Sequence, residues 1–194
     1  ITDDNGVGQK SGMTEIVDAR MGAHGNITDA TERPAVRRDD PRCGAEGDVV
    51  RRAVLICPGR GTYNAPELGY VTRHFQDLSL LEQFDTLRKS AGQDTVTALD
   101  TAATFAAKRH TTGNNASALI YASGLGDMRA LDRGAIDLVA ITGNSMGWYT
   151  ALACAGGVGP VTGFEIANTM GTLMHDHAPG GQVVYPHMGE DWRP

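Results

Sequence analysis

Two short apolar runs dominate the pattern of this chain, Ala53-Val54-Leu55-Ile56-Cys57 and Ala135-Ile136-Asp137-Leu138-Val139-Ala140-Ile141-Thr142. Runs of this length, bounded by glycine-rich loops, suit strands buried in a parallel sheet. The stretches around them carry helical signals. Ser79-Leu80-Leu81-Glu82 reads as a capping box opening a helix toward Lys89, and Gly92 stands where that helix would cap. Residues 95–109 are Ala-rich and read as one helix, Thr111-Thr112-Gly113-Asn114-Asn115 as a turn, and 117–133 as a second helix closed by Gly134. Further helices are expected over 149–155 and 162–175, and a last strand over 182–185. Strands separated by helices predict an α/β domain with a parallel sheet flanked by helices. Such sheets bind ligands at the carboxyl ends of their strands, and the loops after Cys57 and Thr142 both fall there. One crevice is expected to hold both.

Residues 1–50 break the pattern. They are rich in Asp, Arg, Gly and Thr, lack periodicity, and include the charged, Pro-punctuated piece Thr31-Glu32-Arg33-Pro34-Ala35-Val36-Arg37-Arg38-Asp39-Asp40-Pro41. They read as an extended or disordered N-terminal arm, or as a wrap over the domain, ahead of an α/β domain at 51–194.

Composition narrows the function classes. The 194 residues suffice for one domain with a real core. The net charge of −6 and the lack of a basic stripe give no reason to expect nucleic acid. No apolar run is long enough for a membrane span, and no signal-peptide core opens the chain. Cys43, Cys57 and Cys154 have no metal-ligand spacing, so no metal is expected. Cys57 and Cys154 fall in apolar runs and read as buried thiols, which fits a reducing cytoplasm.

The second apolar run ends at Gly143-Asn144-Ser145-Met146-Gly147, and a helix-prone stretch follows at once. Strand, Gly-x-Ser-x-Gly and helix in that order form a nucleophile elbow. The turn is so tight that side chains beside the serine must be absent, hence the two glycines. It raises the Ser145 hydroxyl above the sheet and aims it at the next helix's N-terminus, where free N–H groups and the helix dipole stabilise an oxyanion. The plainer reading of the same residues is a Gly/Ser turn that only joins strand to helix.

Three motifs in order resemble the malonyl-CoA:acyl-carrier-protein acyltransferase family. The first is Pro58-Gly59-Arg60-Gly61-Thr62, similar to the family's Pro-Gly-Gln-Gly-Ser. The second is Gly143-Asn144-Ser145-Met146-Gly147-Trp148-Tyr149, similar to Gly-His-Ser-Leu-Gly-Glu-Tyr. The third is Met170-Gly171-Thr172-Leu173-Met174, similar to Arg-Gly-x-x-Met. Ala118-Leu119-Ile120-Tyr121-Ala122-Ser123 also sits where the family has a similar helix start. The resemblance runs from about Ala53 to the C-terminus. It implies an α/β-hydrolase-like core, with the family's small ferredoxin-like subdomain mostly outside this chain. It also implies a ping-pong reaction: Ser145 takes an acyl group from acyl-CoA as an ester, and the phosphopantetheine thiol of an acyl carrier protein receives it. Backbone N–H groups of Met146 and Arg60 would form the oxyanion hole. No resident cofactor is implied.

The departures bear on the acyl group. Met170 stands where the family's arginine pairs with the malonyl carboxylate. A buried carboxylate without a cation is costly, so strict malonyl specificity is not expected unless another cation replaces that arginine, whereas methionine suits an apolar acyl chain. Ala116 replaces a pocket glutamine, Asn144 a histidine and Trp148 a glutamate. Trp148 either narrows the acyl pocket or packs on the helix face, and the Arg60 guanidinium either meets a CoA phosphate or points to water. The family's catalytic histidine has no counterpart among His24, His74, His110, His175, His177 and His187. The chain opens on Ile1, and the expectation is that the natural protein continues past Pro194 with its base there. Two other classes remain beside the acyltransferase: a serine (thio)esterase, and a non-catalytic relative that binds acyl-CoA or a carrier protein.

Overall fold

The computed structural model describes the backbone of residues 10–11 and 14–18 and all of residues 50–177. Its strands are β1 (Lys10–Ser11), β2 (Thr14–Asp18), β3 (Arg51–Cys57) and β4 (Ile136–Gly143). Its helices are α1 (Tyr70–His74), α2 (Leu78–Ser90), α3 (Val96–Asp100), α4 (Ala107–His110), α5 (Gly113–Arg129), α6 (Gly147–Cys154) and α7 (Pro160–His177). The strands lie in the order β1-β2-β3-β4. β3 and β4, the two apolar runs, pair in parallel, while β2 joins β3 and β1 joins β2 in antiparallel fashion. β1 and β2 come from the first 50 residues, whose remainder lies outside the described residues, as do Cys43, His24, His187 and the strand expected over 182–185. The β3–β4 register shifts between Ala53 and Val54, which face Leu138 and Ala140 and leave Val139 as the bulged residue.

Helix α5 is the centre of the core. Every residue from Gly113 to Gly126 except Asn114 is buried. A helix apolar on all sides has to be surrounded, and α5 packs against α1, α3, α6 and α7. Phe84 of α2 stacks on Phe164 of α7 with ring centroids 4.2 Å apart, and Tyr121 of α5 meets both rings edge-on. Glycines let α5 and α7 approach closely. A Cβ on Gly171 would lie 2.5 Å from the Gly113 carbonyl oxygen.

Several local expectations change in the folded chain. α2 begins at Leu78 because the Asp77 carboxylate, not Ser79, accepts the Leu80 N–H, at 3.0 Å. Its C-terminus is a Schellman motif. Gly92 sits at φ +69°, its N–H donates to the Lys89 carbonyl, and the Gln93 N–H donates to that of Arg88. Gly92→Ala meets no steric neighbour but forces a side chain into left-handed backbone, so a loss of about 1 kcal/mol is expected in a urea melt.

The single helix expected over 95–109 is two short ones. Asp100 ends α3 because its buried carboxylate turns to α1, where it accepts the N–H groups of Val71 and Thr72 and the hydroxyls of Tyr63 and Thr72. The buried His110 ring then lies between the Leu99 and Ala106 carbonyls and stacks on Phe105. The 111–115 turn is partly the first turn of α5. Its asparagines are recruited by Arg88, a fully buried cation on α2. Arg88 donates to the carbonyls of Asp94 and Asn114 and to the side-chain oxygens of Asn115 and Asn168. Burial lowers its pKa, and nearby Asp94 and Asp85 oppose that shift.

Candidate active site

The elbow forms where the sequence places it. Ser145 has φ +53°, the only non-glycine residue with positive φ among the described residues. Serine avoids this region, so the conformation is held by its surroundings. The Asn144 N–H donates to the Cys57 carbonyl at 3.0 Å, and the Gly147 N–H to the Asn144 carbonyl at 2.8 Å. The flanking glycines are required by close approach. A Cβ on Gly143 would sit 2.3 Å from the Gly147 carbonyl carbon, and one on Gly147 would sit 2.1 Å from the Cys57 oxygen. Ser145 itself is exposed.

The loop after β3 lies beside it. A Cβ on Gly59 would come 3.1 Å from the Ser145 Cβ. The loop is stapled by the Thr62 hydroxyl donating to the Gly59 carbonyl and by the Asn64 amide donating to the Gly61 carbonyl. Tyr63 anchors its end: burial, and then the bond to Asp100, pushes the phenol far above its usual pKa. Neither the Arg60 nor the Met146 N–H donates to a carbonyl among the described residues. Among the described residues, both main-chain donors are thus without a carbonyl partner, and both residues line the cleft that Ser145 lines.

Arg60, Ser145, Met146 and Met170 line one cleft of about 140 Å³. The cleft is completed by Tyr149, Gly171 and Met174, which lie in the motif strings without an expected pocket role, and by Ser117 and Ala167, which no motif marked. Periodicity held the signal for some of them. Tyr149 lies four residues after Ser145, and Ala167, Met170, Gly171 and Met174 form one stripe of α7.

Three expected pocket residues lie elsewhere. Ala116 is buried in the core, and its neighbour Ser117 faces the cleft instead. Asn144 is exposed outside the cleft, since its peptide is spent on the turn. Trp148 is 58% exposed and neither narrows the cleft nor packs down, because α6 turns it outward one residue before Tyr149.

The described histidines do not line the cleft. His175 and His177 are exposed in the last turn of α7, His74 lies tilted against the Tyr70 ring, and His110 is buried. Cys57 and Cys154 are buried thiols. The Cys57 thiol's hydrogen bond, and then burial, pushes Cys154 well above the usual range, which makes it a poor nucleophile. Among the described residues no three metal-ligating side chains converge, and no helix is long and apolar enough to cross a membrane. Compared with family models, curated proteins and solved structures, the chain matches none.

Proposed function

We propose that this chain carries an acyl-serine site: an acyltransferase that moves an acyl group from CoA to an acyl carrier protein, without strict malonyl specificity, on an α/β-hydrolase-like core. The observation that carries the reading is the exposed, left-handed Ser145, which shares a cleft with Arg60 and Met146, whose N–H groups meet no carbonyl among the described residues. A serine is strained in this way where the strain places an oxygen. The Ser145 oxygen attacks the thioester carbonyl, the carbonyl oxygen takes up negative charge facing the two N–H groups, and the C–S bond breaks. The serine proton ends on the departing thiol. A carrier thiol then reverses the sequence and releases Ser145. The proposed setting is the cytoplasm, where acyl-CoA is made.

A second reading is favoured by the exposure of Ser145. Water reaches an open nucleophile, so the same acyl-enzyme serves a thioesterase. One experiment separates the two. The full-length protein is incubated with an acyl-CoA, with and without acyl carrier protein, and the masses of carrier and free acid are followed. Acylated carrier protein in excess of free acid is expected. Free acid formed at the same rate regardless of carrier assigns the hydrolase, and no turnover of either kind leaves only the binding relative.

A further inference from the structure

The loop after β3 is tied to the rest of the fold at a point outside the cleft. Within the loop, the Thr62 hydroxyl donates to the Gly59 carbonyl and the Asn64 amide to the Gly61 carbonyl. These bonds close the loop on itself and fix its shape rather than its direction. The Tyr63 hydroxyl reaches out of the loop and donates to the Asp100 carboxylate, 37 residues later in the chain, at 2.5 Å. Asp100 is completely buried, and Tyr63 is buried beside it. The same carboxylate accepts the N–H groups of Val71 and Thr72 in α1 and the Thr72 hydroxyl. None of these four donors is a cation. A carboxylate offers about four lone-pair sites, so four donors fill it. Turning Tyr63 away leaves a buried charge one donor short, which is costly where water does not compensate. The phenol is therefore held in direction as well as in depth.

We propose that Asp100 is a positioning residue for the Ser145 site and acts through Tyr63, holding in place the loop whose Arg60 N–H receives the oxyanion. This rests on the acyl-serine reading of the cleft. Arg60 stands three residues before Tyr63, and Gly59 four before it. At Gly59 the loop meets the elbow, since a Cβ there would come 3.1 Å from the Ser145 Cβ and 2.9 Å from the Asn144 carbonyl oxygen. The short stretch between these two contacts carries the Arg60 N–H, and Arg60 lines the cleft with Ser145. Neither Tyr63 nor Asp100 lines it, so neither touches the reacting atoms. Their effect is on geometry. An oxyanion donor serves the transition state only when it is aimed before the charge appears, and a misplacement of about 1 Å costs up to about 100-fold in rate.

The test loads the full-length protein with malonyl-, acetyl- and butyryl-CoA and follows Ser145 ester formation by intact mass against donor concentration. Tyr63→Phe keeps the buried ring and removes only the hydroxyl. Its saturating rate is expected to fall at least about 10-fold with the half-saturating donor concentration unchanged, because a misaimed oxyanion donor acts on the transition state and not on donor binding. Thr72→Val removes another hydroxyl from the same carboxylate, on α1 rather than on the loop, and is expected to lower the urea midpoint while keeping the rate. Adding Tyr63→Phe to Asp100→Asn is expected to cost less rate than Tyr63→Phe costs alone, since the hydroxyl acts through that carboxylate. Should Asp100→Asn not fold, the Tyr63 and Thr72 variants decide by themselves. An unchanged saturating rate in Tyr63→Phe overturns the proposal alone, whether or not half-saturation shifts. A rate loss in Thr72→Val as large as that in Tyr63→Phe overturns it by making Asp100 a structural anchor only, and so does an undiminished Tyr63→Phe loss in the Asp100→Asn background. Absence of any Ser145 ester in the unaltered protein with all three donors removes the acyl-serine reading and the proposal together.

Discussion

Gly147→Ala is expected to destabilise the protein by about 3 kcal/mol or more and to abolish acylation of Ser145. Two effects oppose each other at this position. Alanine is the better helix former by about 1 kcal/mol, and Gly147 is the first residue of α6. Against this, the added Cβ would lie 2.1 Å from the Cys57 oxygen and 2.7 Å from that of Pro58. Both are backbone atoms at the end of a sheet strand, so no rotamer change relieves the overlap. The helix must back away from β3, carrying the Met146 N–H away from the Arg60 loop. Gly159→Ala serves as the control, since a Cβ there meets nothing within 4 Å. Urea midpoints and Ser145 acylation of both variants check the argument. A Gly147→Ala protein as stable and as reactive as Gly159→Ala would refute it.

Arg88→Met is expected to lower stability by about 3 kcal/mol, through loss of hydrogen bonds to a charged donor. Removing a buried cation relieves a desolvation penalty of several kcal/mol, which alone would stabilise the fold. The guanidinium, however, donates to four oxygens, on Asp94, Asn114, Asn115 and Asn168. At about 1.5–3 kcal/mol for each bond to a charged donor, the four together exceed the relief. Arg88→Lys keeps the charge but cannot present the fork, so it should recover little. The network also ties α2 to the first turn of α5 and to the middle of α7. Asn168 donates to Gln93, which donates to Thr172 one turn further along α7. That is the helix whose other side supplies Met170 and Gly171 to the cleft, so acylation should weaken along with stability. Denaturant melts and loading rates on the same samples test both halves. A Met variant at least as stable as the parent would show that desolvation dominates.

What was legible in the sequence follows from how local each cause is. β3, β4 and α6 could be read because an apolar run and two glycines act within a few residues of themselves. The elbow is the extreme case, since its strain, its glycines and its nucleophile occupy five consecutive positions. The break between α3 and α4 was not legible, because no breaker stands there. Asp100 is drawn to the N-H groups of α1, 28 and 29 residues earlier in the chain. Gly113-Asn114-Asn115 has the composition of a turn, and only the buried Arg88 reveals why asparagines open a core helix. In the cleft, residues inside a motif string are legible, and those outside one are not. Arg60, Ser145, Met146, Tyr149, Met170, Gly171 and Met174 belong to recognisable strings, while Ala167 enters only through helical spacing from Met170. Trp148 and Ala116 were misplaced by one position each. On a helix, one residue turns a side chain by about 100°, enough to exchange cleft for solvent or core.

Intact-mass analysis of the chain after brief exposure to a series of acyl-CoA donors, followed by peptide mapping, tests the account most directly. A single acyl increment is expected, carried on the peptide that contains Ser145 and lost in Ser145→Ala while the urea midpoint is kept. An increment that survives Ser145→Ala, or none from any donor, would contradict it.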